Sequence, residues 1–413
     1  MQRVGVRCCV AGGGPAGVMA GLLLARAGID VVVLEKHADF FRDFRGDTIH
    51  PSTLELMHDL GSLDDLLKLP HEEAHHLAFQ FGALKGVIAD FDRAKLRFPF
   101  IAFMPQWDFL NFLARRAARY PTFSLKMSAE VTGLIEENGR VVGVTATTPR
   151  GPLEVRADLV IAADGRHSIV REKSGLAVED IGAPMDVLWF GLPRHRTDPD
   201  ETMGRFAPGS IFIAIDRRDY WQCGYVIAKG SFDAIRARGL TAFQQGVAAM
   251  FPEVADRVGQ LDDWDKIKLL TVQVNRLKRW YRPGLLCIGD AAHAMSPVGG
   301  VGINLAVQDA VAASNILAAR LAERRVTEDD LAQVQKRREF PMGITQAFQV
   351  FVQNRVLAPT LGGQLGKPPL VMRLLQRFPA LRSLPARWLG LGVRPEHIHT
   401  APRWPEKEPP VQA

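Results

Sequence analysis

Cysteine is scarce: there are four in 413 residues, Cys8, Cys9, Cys223 and Cys287, and none has metal-ligand or redox spacing. All four fall in apolar stretches, so they read as small buried hydrophobes, which excludes a disulfide framework or a zinc signature. That usage fits a reducing cytoplasm. No apolar run reads as a transmembrane span, and none carries an internal repeat or low-complexity tract. The mostly apolar opening, residues 4–27, is broken by a glycine cluster and continues into a strand, so it reads as the start of a fold and not as a signal peptide. Basic runs with interleaved aromatics are missing as well. The net charge of +6 and the pI near 9.2 come from scattered Arg and Lys, which argues against nucleic acid and suits anionic nucleotides. With 47% hydrophobic and 23% charged residues, the chain is globular and long enough for a large two-part fold or two to three domains.

What is present is a strand, a glycine turn, a helix and a strand. Residues 4–11 are apolar and β-rich, 12–17 form the turn, 18–27 are a small-residue helix, Gly28 suits its C-cap, and 30–35 form the second strand. Helical spacing recurs over 53–69 and 105–120, and 124–148 alternates like a hairpin around Asn138-Gly139. An apolar strand at 159–163 runs into Asp164-Gly165. From about 178 to 275 come short β runs, 187–191, 210–215 and 221–228, and then a helix near 241–251, which together predict an inserted antiparallel sheet covering a ligand. A strand at 285–289 resumes the first fold and leads to a long helix over 302–324. Helices follow to about 390, and then a Pro-rich, loose tail.

Gly12-Gly13-Gly14-Pro15-Ala16-Gly17 satisfies G-x-G-x-x-G between a buried strand and a helix start, where a dinucleotide turn belongs. Gly12 permits the tight turn, Gly14 lets backbone approach a pyrophosphate, and Gly17 allows the helix to pack on the strand. The helix N-terminus then offers amide donors to the diphosphate. Glu35 ends the second strand about 20 residues on, where a carboxylate accepts from a ribose diol and repels a 2′-phosphate. FAD and NAD both satisfy this turn, and NADP does not.

Two later motifs decide between them by resemblance. Asp164-Gly165 after one apolar strand, and Gly289-Asp290 in Leu285-Leu286-Cys287-Ile288-Gly289-Asp290-Ala291-Ala292-His293 after another, resemble the fingerprints of the para-hydroxybenzoate hydroxylase family of flavoprotein monooxygenases across roughly residues 4–324. The resemblance implies an α/β fold with a Rossmann-like FAD-binding domain, an inserted antiparallel β-sheet substrate domain and a helical C-terminus. The expected division is 1–177 with 276–330, then 178–275, then 331–413. It also implies that Gly289 and Asp290 face the riboflavin moiety. Taken alone, Asp290 reads better as a turn residue. Ser296-Pro297-Val298-Gly299-Gly300-Val301-Gly302-Ile303-Asn304 follows. Its glycines let backbone pass against a flat ring, and the next helix aims positive charge there. In the family this segment abuts the pyrimidine edge of the isoalloxazine.

Cofactor contacts are therefore expected at Gly12, Gly14, Ala16, Gly17, Glu35, Lys36, Arg45, Gln106, Val131, Asp164, Gly289, Asp290, Pro297, Gly300, Val301, Gly302, Ile303 and Asn304. The alternative for Arg45, less favoured, is a surface cation. The middle motif, Asp164 to Ser168 with Arg171, is implicated by the family in both FAD and NAD(P)H interaction. No second glycine turn serves nicotinamide, which implies transient surface docking. The implied reaction is NAD(P)H reduction of FAD, then oxygen transfer from a flavin hydroperoxide to a small aromatic, similarly electron-rich or lipophilic molecule. Asp47, His50 and Tyr220 are the candidate catalytic groups, and His293, also in a flavin-proximal segment, reads more readily as a structural histidine. Trp221, Gln222 and Tyr225 lie in the expected substrate sheet, and Trp189 and Phe190 read as pocket wall or core. His50 suits a proton shuttle near pH 6.5 or a hydrogen-bonded structural role. His71, His75 and His76 lack partners for a metal, and no metal is expected. A homodimer, a cytoplasmic location and no integral membrane segment complete the expectations. Rival readings are a related halogenase or isoprenoid-type reductase, or a flavin-binding protein without turnover. The W-x-W-x-I-P segment of tryptophan-type halogenases is absent.

Overall fold

The computed structural model describes residues 2–41, 48–199 and 202–403, so Arg45 and Asp47 lie outside the described residues. The central strand is Gln2–Ala11, and its last four residues are wholly buried. It pairs in parallel with Gly151–Ala162 on one side and Val31–Leu34 on the other, and Leu285–Cys287 and Phe123–Lys126 extend the sheet outward. Strands buried on both faces read as continuous Val, Leu and Cys runs, and these do. All four cysteines are free and buried. Burial pushes the Cys9 thiol up to about 12.

Small residues set the helix packing. Pro15–Arg26 lies against Gly302–Ala322, and both helices are rich in buried alanine. Residues 298–322 are long and apolar enough to cross a membrane, yet 83% of that window is buried inside the protein. It is the interior helix of the first domain. The hairpin expected at Asn138-Gly139 is present: both residues have positive φ, 50° and 77°, which a two-residue primed turn requires. The helix expected over 53–69 is two pieces, Pro51–Asp59 and Leu63–Leu66, because Gly61 takes φ 61° and stops the first. The 159–163 strand is the end of a longer one, Gly151–Ala162.

The second sheet has seven strands in the order Lys268–Leu270, Met185–Pro193, Tyr220–Ala228, Ser210–Asp216, Met203–Ala207, His76–Phe81, Leu84–Asp90. The last two strands come from the stretch expected in the first domain. Met203–Ala207 pairs with His76–Phe81 in parallel, so the sheet is antiparallel at every pair but this one. One face carries Leu188, Phe190, Phe212, Trp221 and Cys223 against the helix Leu240–Met250. The opposite face presents Val187, Trp189, Ile211, Ile213 and Ile215 inward.

The C-terminal region is helical as expected: Glu328–Val352, Leu370–Arg377 and Ser383–Leu391 are its main helices. The stretch after 391, expected to be loose, is pinned as far as 403. Glu396 joins Arg337 and Arg338, Asn315 Nδ2 donates to the His397 carbonyl, and Arg403 N–H donates to the Arg26 carbonyl.

Candidate FAD site

At the glycine turn the backbone dictates the residues. Gly12 has φ 103°, and a Cβ there would lie 2.4 Å from the Ala163 carbonyl oxygen. A Cβ at Gly17 would lie 1.9 Å from the Gly12 oxygen, so this glycine is fixed by helix-on-strand packing. Gly14 differs: a Cβ there meets nothing within 4 Å. Protein packing leaves it free to be any small residue, so its glycine is explained by a ligand's approach and not by the fold. Gly14 is the N-cap of Pro15–Arg26 and makes no side-chain cap, so the first amides of that helix face outward. This geometry fits a pyrophosphate.

Glu35 is buried and clamps the turn. Its Oε2 accepts from the Gly13 N–H at 2.9 Å, and its Oε1 accepts from the His37 N–H at 3.0 Å. The carboxylate thus stands at the end of the second strand, beside the glycine turn, where a dinucleotide fold places an acceptor for a ribose diol. Lys36 follows on the surface. The Ala129 N–H donates to the Glu35 carbonyl, which brings Val131, at the start of Glu130–Glu137, to the same end of the sheet. Gln106, half-buried, opens the helix Gln106–Ala117.

The second and third motifs meet in space. Gly289 has φ 58°, and a Cβ there would sit 3.2 Å from the Cβ atoms of both Ala16 and Ala306, so it joins the two long helices at the strand end. Arg166 Nη2 donates to Asp290 Oδ2 at 3.2 Å, and Arg171 Nη1 donates to the Ala291 carbonyl at 3.2 Å. Asp164 itself is spent locally. Its Oδ1 accepts from Ser168 Oγ and its Oδ2 from the Val170 N–H, capping the helix Ile169–Ser174. Burial raises its pKa, against those hydrogen bonds. The Asp164 side chain thereby supports the loop that carries Arg166.

Asn304 is engaged in a similar way. Its side chain is buried and fully engaged: Oδ1 accepts from the His50 N–H at 2.9 Å and Thr53 Oγ1 at 2.7 Å, while Nδ2 donates to the Thr48 and Gly300 carbonyls. It binds the 48–53 segment to the helix Gly302–Ala322. What this end offers a ligand is the backbone, because the N–H groups of Gly302, Ile303 and Asn304 precede the first intrahelical bond, Leu305 to Val301. Pro297 and Val301 flank Gly299 and Gly300, whose φ values are 80° and 61°. A Cβ at Gly300 would lie 2.6 Å from Thr48 Oγ1, so a backbone this close requires glycine.

Behind Gly289 lies a buried charge network that sequence reasoning missed. Asp309 Oδ2 accepts from the Gly289 N–H at 3.1 Å and from His293 Nε2 at 2.6 Å, and its Oδ1 accepts from Arg338 Nε at 2.9 Å. Asp309 and Arg338 are both fully buried. His293 and Arg338 hold the Asp309 carboxyl below its ordinary range despite its burial. A lone Asp in an Ala-rich helix signals a partner but does not say which.

The catalytic expectations fare unevenly. His50 is wholly buried. Its Nδ1 donates to the Leu389 carbonyl at 2.8 Å, and burial lowers its pKa to about 4, so it is neutral at physiological pH and is no proton shuttle there. It stands at the N-cap position of the helix Pro51–Asp59, where its backbone carbonyl, and not its ring, accepts from the Thr53 and Leu54 N–H groups. Trp221 and Tyr225 face the helix-covered side of the sheet: Trp221 Nε1 donates to Asp198 Oδ2 at 2.8 Å, and Tyr225 packs on Phe243. Tyr220 and Gln222 alternate to the inner face, opposite Pro193 and Gly191. Beside them is Arg217, which the sequence did not single out. Its Nε donates to Gln222 Oε1 at 3.1 Å, and its guanidinium lies 5.5 Å from the Phe103 ring centroid. Phe103 pairs with Thr48, and Thr48 Oγ1 donates to the Gly300 carbonyl, so Arg217 sits one shell from the glycine segment. His76, Asp90 and Asp92 offer atoms within 4.8 Å of one another at the surface, and they stand apart from this site.

Comparison with known proteins agrees with the site. A family model described as FAD binding domain matches residues 5–347. The chain is 34% identical to a 6-methylpretetramide 4-monooxygenase of Streptomyces rimosus, over 91% of this chain and 90% of that one. It is 24% identical to a para-nitrophenol 4-monooxygenase of a Pseudomonas species, over 75% and 78% of the two chains. The structure of an anhydrotetracycline hydroxylase from Streptomyces rimosus superposes with a TM-score of 0.71 at 24% identity, covering 95% of this chain and 77% of that one, which shows a shared fold. The match across both halves of the glycine framework, and the relative similar along nearly its whole length, place this chain in the para-hydroxybenzoate hydroxylase family of FAD-dependent aromatic monooxygenases, with FAD as its cofactor.

Proposed function

We propose that the protein hydroxylates a fused-ring phenol held between the inner face of the seven-stranded sheet and the 297–304 segment, with NAD(P)H and O2 as co-substrates. The observation that carries the substrate class is the chemistry of that face. Trp189, Ile213 and Ile215 make an apolar wall that ends in a buried cation, Arg217, with Gln222 and Tyr220 beside it. A flat hydrocarbon ring system suits the wall, and an oxygen carrying negative charge suits Arg217. A nearby guanidinium favours the phenolate over the phenol, and the phenolate is the form whose ring carbon is nucleophilic. Bound FAD supplies electron transfer from NAD(P)H and the activation of O2.

The chain's own residues then divide the work. Gly12, Gly14, Ala16 and Gly17 hold the diphosphate, and Glu35, Lys36, Gln106 and Val131 line the adenosine end. Gly289 and Asp290 meet the ribityl chain, with Arg166 orienting the Asp290 carboxylate. Pro297, Gly300, Val301, Gly302 and Ile303 present backbone to the flavin's pyrimidine edge, where the helix N-terminus stabilises negative charge by about 1 kcal/mol. Tyr220 is the nearest candidate for proton exchange at the Arg217 end. Strands 76–90 join 178–275 as the substrate-binding part. NAD(P)H visits transiently, and four buried thiols suit a cytoplasmic setting. Two of the similar proteins are named for 6-methylpretetramide and anhydrotetracycline, which supports a multi-ring substrate.

A panel of single-ring and fused-ring phenols, read by stimulated NAD(P)H oxidation and product mass, tests this. Fused-ring phenols should stimulate most. Stimulation by single-ring phenols alone, or by none of the panel, overturns the substrate class.

A further inference from the structure

Among the described residues, ten of the thirteen large hydrophobic side chains that stand exposed fall between 340 and 384. They are arranged in stripes. On Glu328–Val352, Phe340, Ile344, Phe348 and Phe351 lie within about 80° of one another around the helix. At Leu370–Arg377 and its C-cap, Leu370, Val371, Leu374 and Phe378 span about 100° of the exposed side, while Met372 and Leu375 turn inward. The stripes are connected, because Phe348 packs on Trp388 with ring centroids 4.5 Å apart, and the helices of Trp388 and Leu374 both lie on the strand Leu84–Asp90. Scattered single hydrophobes are ordinary on a surface, but a connected face of this kind marks an interaction site.

The charge of this region is one-sided. Residues 341–395 contain seven Arg and Lys and no Asp or Glu. That +7, set against +6 for the whole chain, leaves the remainder at −1. Arg373 and Arg377 flank the Leu370–Phe378 stripe and are exposed. Arg394 lies over the Phe340 ring at 4.7 Å and Arg377 over Phe378 at 5.7 Å, so cations and apolar groups share one surface.

We propose that this face docks on an anionic lipid bilayer, with its cations at the headgroups and its apolar stripes in the headgroup–acyl boundary. Amphipathic helices with an apolar face and basic flanks bind in that plane. A two-fold pairing of the same face with a second copy would set Arg373, Arg377 and Arg394 against the same cations of that copy, which disfavours self-association. The proposal is independent of the substrate.

Co-sedimentation of the flavin-loaded full chain with large vesicles tests it. The protein should pellet with phosphatidylcholine vesicles containing phosphatidylglycerol, should bind pure phosphatidylcholine at least tenfold more weakly, and should be released by added salt. Arg373→Ala with Arg377→Ala should weaken partitioning about 30-fold at unchanged flavin absorbance and melting temperature. Phe351→Ser with Leu374→Ser should weaken it too. Equal binding to both vesicle types, or no binding to either, overturns the proposal. So does a dimer in sedimentation velocity that Phe351→Ser with Leu374→Ser dissociates, since the face would then be an interface between copies. Binding only to an acidic protein likewise overturns it.

Discussion

Replacing Asp309 with Ala should damage the fold and FAD retention together, far more than its distance from any ligand suggests. Asp309 accepts from the Gly289 N–H, from His293 and from Arg338. Its removal leaves Arg338, which has no exposed surface, with Glu396 as its remaining carboxylate. Breaking a buried pair by deleting one partner costs about 3–5 kcal/mol. Orphaning the Gly289 N–H adds about 1–3 kcal/mol, and the two costs overlap. A loss of about 5 kcal/mol corresponds to a melting-temperature drop of roughly 6 °C in a chain of this length, and it takes much of a typical domain's stability. Because Gly289 turns the strand end that carries Asp290, flavin occupancy should fall in parallel. Differential scanning fluorimetry with a flavin count by absorbance reads both quantities. Glu323→Ala is the control, since its ion pair with Arg320 is more than half exposed and should shift the melting temperature by no more than about 1 °C. A melting temperature within 2 °C of wild type and full flavin occupancy in Asp309→Ala would refute the assignment of this network as the brace behind the turn.

Gly14→Ala should fold normally, because a Cβ there meets no protein atom, yet lose FAD affinity. Gly17→Ala should lose stability as well, and equal flavin titrations for Gly14→Ala and wild type would contradict the first half. His50 gives a pH signature. The unfolded imidazole binds a proton near 6.5 and the folded one only near 4, so stability is full above 6.5 and falls by about 3 kcal/mol as pH drops to 4. Urea midpoints of wild type should therefore decline more steeply than those of His50→Gln across that window, and parallel slopes would show that the ring stays ionisable in the fold. Arg217→Met should raise KM for a phenol and shift the pH profile of stimulated NAD(P)H oxidation upward, toward the free phenol's own pKa. An unchanged profile would remove Arg217 from the substrate site.

Strong local signals carried the first domain. Gly12 and Gly17 of the first turn and Gly299 and Gly300 of the later one each meet a backbone shape or a close approach that few other residues allow, and the apolar run at 285–288 forms its buried strand as expected. Less legible were features that depend on distant partners. Residues 76–90 alternate too weakly to declare themselves, with Gly82 at φ 56° turning between the two strands, and only the pairing with Met203–Ala207 makes them part of the second sheet. Asp164 and Asn304 sit in cofactor-like motifs, yet their side chains are consumed by Ser168, Val170, Thr48 and Thr53. Arg217 carries no motif at all. Its position follows from strand register, since a one-residue slip would turn Gln222 outward and Trp221 inward.

The most direct test is isotopic. The purified holoenzyme, given NAD(P)H, a stimulating fused-ring phenol and 18O2, should yield a product with one 18O atom and consume NAD(P)H in step with it. A product without label, label drawn from water, or NAD(P)H oxidation that never couples to a product would contradict the assignment of this protein as a hydroxylating FAD monooxygenase.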